Sequence, residues 1–175
     1  MDLYVGVTDG TWFKFLKQKR AMADPAEGFD INFWKPGATP FKALAEGGLF
    51  VFKSHGNPGH IIGFAFFSRY VRMPVSLAWD VFAEANGCPS RQLLLGAIQK
   101  YGKSVHPDPE IGCIVLSDPV FFDEDAYLPV PADWSSNIVS GKGYDLATPA
   151  GAALRDMLMA TMQGVENYER EVPLD

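Results

Sequence analysis

Residues 49–70 read LFVFKSHGNPGHIIGFAFFSRY, and this stretch decides the fold. Leu49–Lys53 and Ile61–Tyr70 are rich in β-branched and aromatic residues, which is typical of strands. The turn chemistry of Ser54–His60, with its glycines and proline, predicts that the two strands form a hairpin. Nearly every strand position is apolar, which favours a closed barrel covered by helices. Gly63 inside the second strand predicts a bulge or a close approach by another backbone.

The elements around this hairpin predict a single domain over residues 1–175. Leu3–Thr8 alternates like a first strand, a turn follows at Asp9-Gly10-Thr11, and Thr11 is expected to cap a helix to about Arg20. The other predicted elements are a strand at Asp30–Trp34, a helical turn at Pro40–Leu44, helices at Ser76–Ala85 (capped by Ser76) and Arg91–Tyr101 (capped by Ser90), a strand at Ile111–Leu116 extended by Val120–Phe122, a loop at Leu128–Tyr144, and a helix over about 148–168 capped by Thr148. The order predicts an α+β fold, a small mixed β-barrel of about five or six strands with flanking helices.

The charges are distributed unevenly along the chain. The first 105 residues hold twelve Lys/Arg and eight Asp/Glu, a balance of +4, and the rest hold three and thirteen, a balance of −10. With a net charge of −6 the whole chain is expected to be a poor non-specific nucleic-acid binder, although its N-terminal part can present a basic face. The acidic C-terminal part is equally compatible with simple solvation of the last helix.

Targeting, membrane and metal signals are lacking in the sequence. No signal peptide is recognisable, and no stretch approaches the roughly 18 apolar residues of a membrane span, so we expect a cytoplasmic protein without membrane contact. Cys88 and Cys113 stand alone, without CxxC or a histidine at ligand spacing, and are expected to be buried free thiols. We therefore expect no metal and no cofactor.

The usual markers of catalysis give no active site. His55 and His60 belong to the hairpin turn, and His106 precedes a proline without an obvious partner. The acidic run Asp123–Asp125 is typical of a solvated loop, and no metalloprotease motif, nucleophile elbow or phosphate-binding loop occurs in the sequence. The residues alone therefore do not support an enzyme.

Aromatic and amide side chains at strand ends and turns suggest a different chemistry. They are Trp12, Asn32, Trp34, Trp79, Trp134, Asn137 and Tyr144. A pocket for a planar heterocycle needs rings to stack on and a few polar groups for the edge, and stacking contributes about 1–3 kcal/mol per base. Core packing is the alternative. It is favoured for Trp12 and Trp79, which lie on apolar helix faces, and stays open for Trp34 and Trp134.

Long segments of the chain resemble a known family over about Leu3–Leu158. The segments are YVGVTDGTWFKFL, INFWKPG with PFKAL, LFVFKSHGNPGHIIGFAFFSRY, MPVSLAWDVFAEANG, EIGCIVL followed by FF, and VPADWSSNIVSGKGYD. Together they resemble the N-terminal domain of bacterial HNH-type restriction endonucleases. Those proteins are similar in layout to modification-dependent endonucleases, in which a PUA-like module of the EVE, YTH and SRA group precedes the nuclease. The resemblance implies a PUA-like fold that reads a modified base flipped from DNA, and a C-terminal HNH nuclease domain as its partner.

The nuclease itself does not carry over to this chain. The three histidines do not match an HNH motif, so no catalytic residue is expected here. The chain is expected to be either the recognition domain of a longer protein or a short stand-alone version. An RNA-binding module that reads a modified base, and a domain that senses a free nucleotide or other small molecule, are the alternatives.

The resemblance also implies which residues contact the nucleic acid. The base pocket is expected near the end of the first strand, in the short tryptophan-containing strand and in a later aromatic loop. The residues expected there are Thr8, Asp9, Gly10, Trp12, Asn32, Phe33, Trp34, His55, Trp79 and Trp134. The residues expected to contact the nucleic-acid backbone are Lys14, Lys17, Lys19, Arg20, Lys53, Arg69, Arg72, Asn137, Lys142 and Tyr144.

Overall fold

A computed structural model describes the backbone of residues 2–171 and the side chains of residues 2–163. Within this range the chain forms one seven-stranded sheet and four α-helices. The elements in chain order are β1 (Leu3–Thr8), α1 (Gly10–Met22), β2 (Asp30–Lys35), β3 (Leu49–Ser54), β4 (His60–Pro74), α2 (Val75–Phe82), α3 (Arg91–Gly102), β5 (Glu110–Phe121), β6 (Leu128–Pro129), β7 (Gly141–Tyr144) and α4 (Pro149–Glu171). None of the described helices is long and apolar enough to cross a membrane.

The sheet has the strand order β2-β5-β4-β3-β1-β7, and β6 pairs with the start of β4. The predicted hairpin is confirmed, with Leu49 opposite Phe66 and Val51 opposite Phe64 in the antiparallel β3–β4 ladder. The β1–β3 pair is parallel, and every other ladder is antiparallel. The predicted α+β class is confirmed; β6 and β7 fall inside the segment that was predicted to be a loop.

The sheet curls so that strands far apart in the strand order face each other. The ring of Phe33 on β2 lies 4.7 Å from the ring of Phe50 on β3, although β5 and β4 separate these strands along the sheet. Trp12, Phe13 and Phe52 fill the same interior together with other aromatic side chains. The curled sheet therefore encloses a core made mainly of rings, which we call the aromatic core.

The opposite face of the sheet is covered by helices. Leu154 and Leu158 of α4 pack against residues of β1, β3 and β4, including Leu3, Val51 and Ile61. We call this mainly aliphatic cluster the outer core. Helices α2 and α3 contribute a third cluster, which packs against β5. Since successive strand residues point to opposite faces, Phe50 and Phe52 belong to the aromatic core while Leu49 and Val51 belong to the outer core.

Local capping residues determine the start of α1 and of α3 but not the start of α2. Helix α1 begins two residues earlier than predicted, because the Asp9 carboxylate, not Thr11, accepts the Trp12 N–H at 3.0 Å. Ser76 does not cap α2; Asp108 from the loop before β5 accepts both the Ser76 N–H and its hydroxyl, at 2.9 and 2.6 Å. Ser90 caps α3 as predicted, through the Leu93 N–H at 3.2 Å.

Other local predictions were tested by the backbone. The helical turn predicted at Pro40–Leu44 was wrong: the segment is an irregular loop whose Phe41 and Leu44 pack against the aromatic core. The close approach predicted at Gly63 is confirmed, since a Cβ atom there would lie 2.3 Å from the Val120 carbonyl oxygen. Thr148 caps α4 as predicted, accepting the Gly151 N–H at 3.3 Å.

Candidate ligand-binding site

A cavity of about 330 Å³ is lined by residues of β1 and β2 and of the segments around these two strands. We call it the aromatic cavity because rings from five separate segments line it, namely Tyr4, Trp12, Phe33, Trp34, Phe41 and Tyr101. Four polar side chains, Asp9, Lys35, His55 and Ser140, complete the lining together with Val7, Pro36, Ile114 and Val139. The site thus combines large apolar faces with a few polar groups.

The two indole rings of this cavity are held by backbone carbonyls. Trp12 Nε1 donates to the Asn32 carbonyl at 3.2 Å, and Trp34 Nε1 donates to the Asn86 carbonyl at 3.0 Å. The Trp12 ring also meets Phe33 edge-on, with 5.3 Å between ring centroids. Because both N–H groups are satisfied and the rings are packed, the cavity wall is fixed in orientation before any ligand binds.

Asp9 and Tyr101 form a contact at the mouth of the cavity. The Tyr101 hydroxyl donates to Asp9 Oδ2 at 3.0 Å, while Asp9 Oδ1 accepts the Trp12 N–H that starts α1. The Tyr101 side chain is 52% exposed, and its ring lies 6.4 Å from that of Trp34. The hydrogen bond to Asp9 and the charge of its carboxylate raise the pKa of Tyr101. This contact joins the start of α1 to the end of α3.

A second cavity of about 240 Å³ adjoins the first and shares Val7, His55 and Val139 with it. We call it the lysine cavity, because the only amino group that lines it, among the described residues, belongs to Lys53. The other lining residues are Gly56, Asn57, Trp134, Ser136 and Ile138. The two cavities are therefore adjacent, near the ends of β1 and β3.

Half of the ten residues expected at the base pocket line the aromatic cavity. They are Asp9, Trp12, Phe33, Trp34 and His55. Gly10 is exposed beside them at the start of α1, and Trp134 lines the lysine cavity instead. Trp12 is a buried core residue, as the core-packing alternative predicted, and it also forms part of the cavity wall.

The other three expected pocket residues, Thr8, Asn32 and Trp79, line neither cavity. Thr8 is fully buried, and its hydroxyl donates to the Gly6 carbonyl at 2.9 Å. Asn32 is also buried; its Nδ2 donates to Asn86 Oδ1 at 2.9 Å, while its Oδ1 has no hydrogen-bond partner among the described residues. Trp79 packs against the α2–α3 cluster, as the core-packing alternative had it. The expected role of these three residues in base binding therefore stays a prediction that the positions of the two cavities do not support.

Most residues expected to contact the nucleic-acid backbone are already engaged within the protein. Lys17 pairs with Asp123 at 2.8 Å, and Lys142 with Asp133 at 2.7 Å. Lys19 pairs with Glu84, Arg72 lies 3.8 Å from Glu110, and Arg20 lies 5.4 Å above the Phe29 ring. Lys14, Arg69 and Asn137 are exposed. These intramolecular contacts offset much of the positive charge that the sequence appeared to offer.

Lys53 and Tyr144, which were also expected to contact the nucleic-acid backbone, are both buried. Tyr144 belongs to the outer core, and its hydroxyl donates to Asp133 Oδ1 at 3.0 Å. Desolvation by burial and the Asp133 carboxylate raise the pKa of Tyr144 well above its ordinary value. Burial lowers the pKa of Lys53, whose Nζ is directed to the carbonyl oxygens of Ser54 and Gly56 at 2.8 and 3.2 Å.

Sequence reasoning missed the aromatic side chains that reach the cavity from distant segments, and the lysines around them. Tyr4, Phe41 and Tyr101 carry no local signal, since their meeting depends on how the sheet curls. Lys35 lines the cavity, Lys42 follows Phe41, and Lys100 lies above the Tyr101 ring with Nζ 5.6 Å from its centroid. Lys103 follows Gly102, where a Cβ atom would lie 3.0 Å from Pro36 Cβ. We call these four residues the rim lysines; none forms an ion pair with any side chain that the structure describes.

Cysteines and potential metal ligands are dispersed. Cys113 is buried and Cys88 is half-buried, both are free thiols, and burial raises the pKa of each. In the part of the chain that the structure describes, no three His, Cys, Asp or Glu residues are grouped so that they could hold a metal ion.

The curled sheet, its helical cover and the aromatic cavity belong to one α+β domain. Two crystal structures of single-residue variants of the ASCH protein from Zymomonas mobilis are similar to it, with TM-scores of 0.54 and 0.55 at 12% and 11% identity. Both comparisons cover 89% of this chain, and 96% and 94% of the ASCH chains. ASCH domains have a PUA-like fold, so the PUA-like prediction is confirmed as a fold, while the link to EVE modules and HNH nucleases stays a prediction. The sequence matches no family model and no curated protein.

Proposed function

We propose that this chain is a nucleic-acid-binding module whose aromatic cavity holds one unstacked base. The aromatic cavity itself is the observation that carries the proposal: its volume of about 330 Å³ suits a small planar ligand, and rings form most of its wall. Asp9, His55 and Ser140 supply hydrogen-bonding groups for the edge of a base. An unstacked base regains in such a cavity the ring contacts that it lost on leaving its neighbours.

The rim lysines support a polymer rather than a free base as the ligand. Their charges are not offset by ion pairs with described side chains, whereas Lys17, Lys19, Arg72 and Lys142 are paired. Phosphate contacts position a strand without reading its sequence, and the cavity would then select the base. The net charge of −6 disfavours binding elsewhere on the surface.

The narrower proposal concerns the identity of the ligand and of the partner. We propose that the base is a modified base flipped from duplex DNA, and that the module directs an HNH nuclease domain of the full-length protein to it. The resemblance of segments such as INFWKPG and VPADWSSNIVSGKGYD to the N-terminal domain of HNH-type restriction endonucleases supports this proposal. The apolar cavity wall supports it too, because moving the added methyl group of a modified base from water into an apolar cavity is favourable.

The test compares fluorescent DNA duplexes that differ in one central base. Duplexes with 5-methylcytosine, 5-hydroxymethylcytosine or N6-methyladenine are titrated beside plain DNA at two salt concentrations, with single-stranded RNA as competitor. We expect one modified duplex to bind at least about fivefold more tightly than plain DNA, which corresponds to about 1 kcal/mol, the low end of what one stacking contact contributes. Equal, weak binding of every polymer would refute the proposal. Tighter binding of RNA than of any duplex would show that RNA is the ligand. Thermal stabilisation of the protein by free nucleosides, without binding of any polymer, would indicate a small-molecule sensor.

A matched pair of variants on α3 locates the binding site. Tyr101→Ala removes a ring from the cavity mouth, whereas Leu93→Ala removes an exposed apolar side chain outside both cavities. The two side chains are 52% and 56% exposed, so neither change should unfold the protein. We expect Tyr101→Ala to weaken binding by about 1–3 kcal/mol and Leu93→Ala to leave it unchanged. Equal affinities of the two variants would place the base elsewhere.

A further inference from the structure

Lys53 is a buried cation without an anionic partner. The residue is 2% exposed, and no carboxylate lies within ion-pair distance of its Nζ among the described side chains. Two of the three ammonium protons are directed to the carbonyl oxygens of Ser54 and Gly56. The third has no protein acceptor among the described residues, and Lys53 lines the lysine cavity.

The groups around Lys53 Nζ interact favourably with its positive charge, but none of those described carries a negative charge. Nζ lies 5.1 Å from the centroid of the Trp134 ring, within the range of a cation–π interaction. Burying an unpaired charge is costly, and carbonyl dipoles and one ring recover only part of that cost. An anion in the cavity would supply the missing partner.

The hairpin turn closes over the ammonium group. At Gly59, with φ of +70°, a Cβ atom would lie 2.7 Å from the Ser54 carbonyl oxygen and 2.9 Å from Lys53 Nζ. A side chain at this position would therefore push the turn away from the lysine. The arrangement is a formed site of limited size, which suits one compact anion rather than an extended charged surface.

The lysine cavity lies beside the expected base. Lys53 is opposite Val7 in the parallel β1–β3 ladder, and Val7, His55 and Val139 border both cavities. Resting on the proposed function, we propose that the lysine cavity binds one phosphate of the strand next to the base held in the aromatic cavity. The site then takes a nucleotide within a strand, with Lys53 Nζ as the phosphate ligand and Trp134 as the ring that holds the ammonium in place.

The test neutralises single phosphates in the ligand. The probe is whichever of the duplexes and the single-stranded RNA described above the wild type binds most tightly, prepared with one methylphosphonate linkage at each position around the bound base in turn. For the wild type we expect one position to weaken binding by about tenfold or more, because a charge-assisted hydrogen bond is lost there, and the other positions to cost much less. In Lys53→Gln, which keeps two N–H donors for the carbonyls but carries no charge, the same linkage should change affinity less than about twofold.

Arg155→Gln is the matched control, since it also removes one positive charge but from exposed α4, away from both cavities. It should keep the wild-type profile of methylphosphonate effects. If the methylphosphonate linkage at the sensitive position weakens the binding of Lys53→Gln as much as it weakens that of the wild type, Lys53 does not bind that phosphate and the inference is overturned. If Lys53→Gln does not fold, Lys53→Met replaces it, and the wild-type scan alone is still decisive: equal effects at all positions overturn the inference. Failure of the wild type to bind any of the probes refutes the proposed function instead.

Discussion

The two faces of β3 and its neighbours differ in chemistry and in how completely they are covered. Toward the outer core the strands present Leu49 and Val51, which α4 covers. Toward the aromatic core the same strand presents Phe50 and Phe52, whose rings meet others at centroid distances of 4.7–6.3 Å. The aromatic cavity lies on the aromatic side, where Trp12 and Phe33 belong both to its wall and to the packed rings.

The largest expected effect is a loss of stability on the outer face. Phe64 is fully buried there, with the Phe66 and Phe122 rings each 6.0 Å away. Phe64→Ala should lower the free energy of unfolding by about 3–5 kcal/mol, from lost burial and the space left behind. Urea denaturation measures this loss. Ligand affinity below the transition should not change, and a specific loss of affinity would show that the two faces are not independent.

A smaller effect is expected from overfilling the aromatic face. At Gly6 a Cβ atom would lie 2.6 Å from Phe50 Cζ, so Gly6→Ala forces that ring to move. We expect a loss of about 1–3 kcal/mol and weaker ligand binding, because the ring wall of the cavity shifts. Gly143→Ala on the adjacent strand is the control, since its Cβ would meet nothing within 4 Å. Denaturation curves in which the control loses as much as Gly6→Ala would contradict the packing argument.

The smallest effect concerns Asp133, which ties the segment beside the cavities to the outer core. Its carboxylate accepts Lys142 Nζ at 2.7 Å and the Tyr144 hydroxyl at 3.0 Å. The Lys142 hydrogen bond, with help from Tyr144, lowers the pKa of Asp133. Because the pKa of Asp133 is lower in the folded protein than in the unfolded chain, its ionised carboxylate stabilises the fold at pH values above the unfolded pKa of about 3.9. This stabilisation is lost as the pH falls through the pKa of the folded state.

Asp133→Asn should therefore be slightly less stable than the wild type at pH 6, by less than about 1 kcal/mol because the pair is largely exposed. The difference should shrink as the pH falls below about 3, where the wild-type carboxyl is also protonated. Melting temperatures of both proteins at the two pH values measure it. A gap that stays constant with pH would show that the charge of Asp133 contributes nothing.

The sequence predicted those parts of the fold that depend on neighbouring residues. The alternation in β1, the turn at Ser54–His60 and the Ser90 cap are local, and the structure agrees with each. Strand β7 was not predicted, because Gly141-Lys142-Gly143 has little strand propensity of its own and becomes a strand only by pairing with β1. Pairing partners contributed from a distance are invisible in a local pattern.

The residues of the site divide in the same way, into those that the local sequence suggests and those that only the folded chain brings together. Trp12 and Trp34 stand out by residue type, but Tyr101 meets Asp9 across 92 residues of sequence, and nothing near either residue indicates the contact. Asn32 was expected to lie at the base pocket, yet its side chain is buried outside both cavities and its Nδ2 is bound to Asn86. Residue type suggested the chemistry of the site; the curl of the sheet decided which side chains take part.

The parallel pairing of β1 with β3 places Thr8 opposite Ser54, so the two strands end side by side at the same end of the sheet. The start of α1 and the hairpin turn are therefore neighbours in space, although 46 positions separate Thr8 from Ser54 in the sequence (54 − 8). Asp9, just after β1, and His55, just after β3, both line the aromatic cavity, so substitutions at these two positions would alter the cavity while leaving the β1–β3 ladder in place.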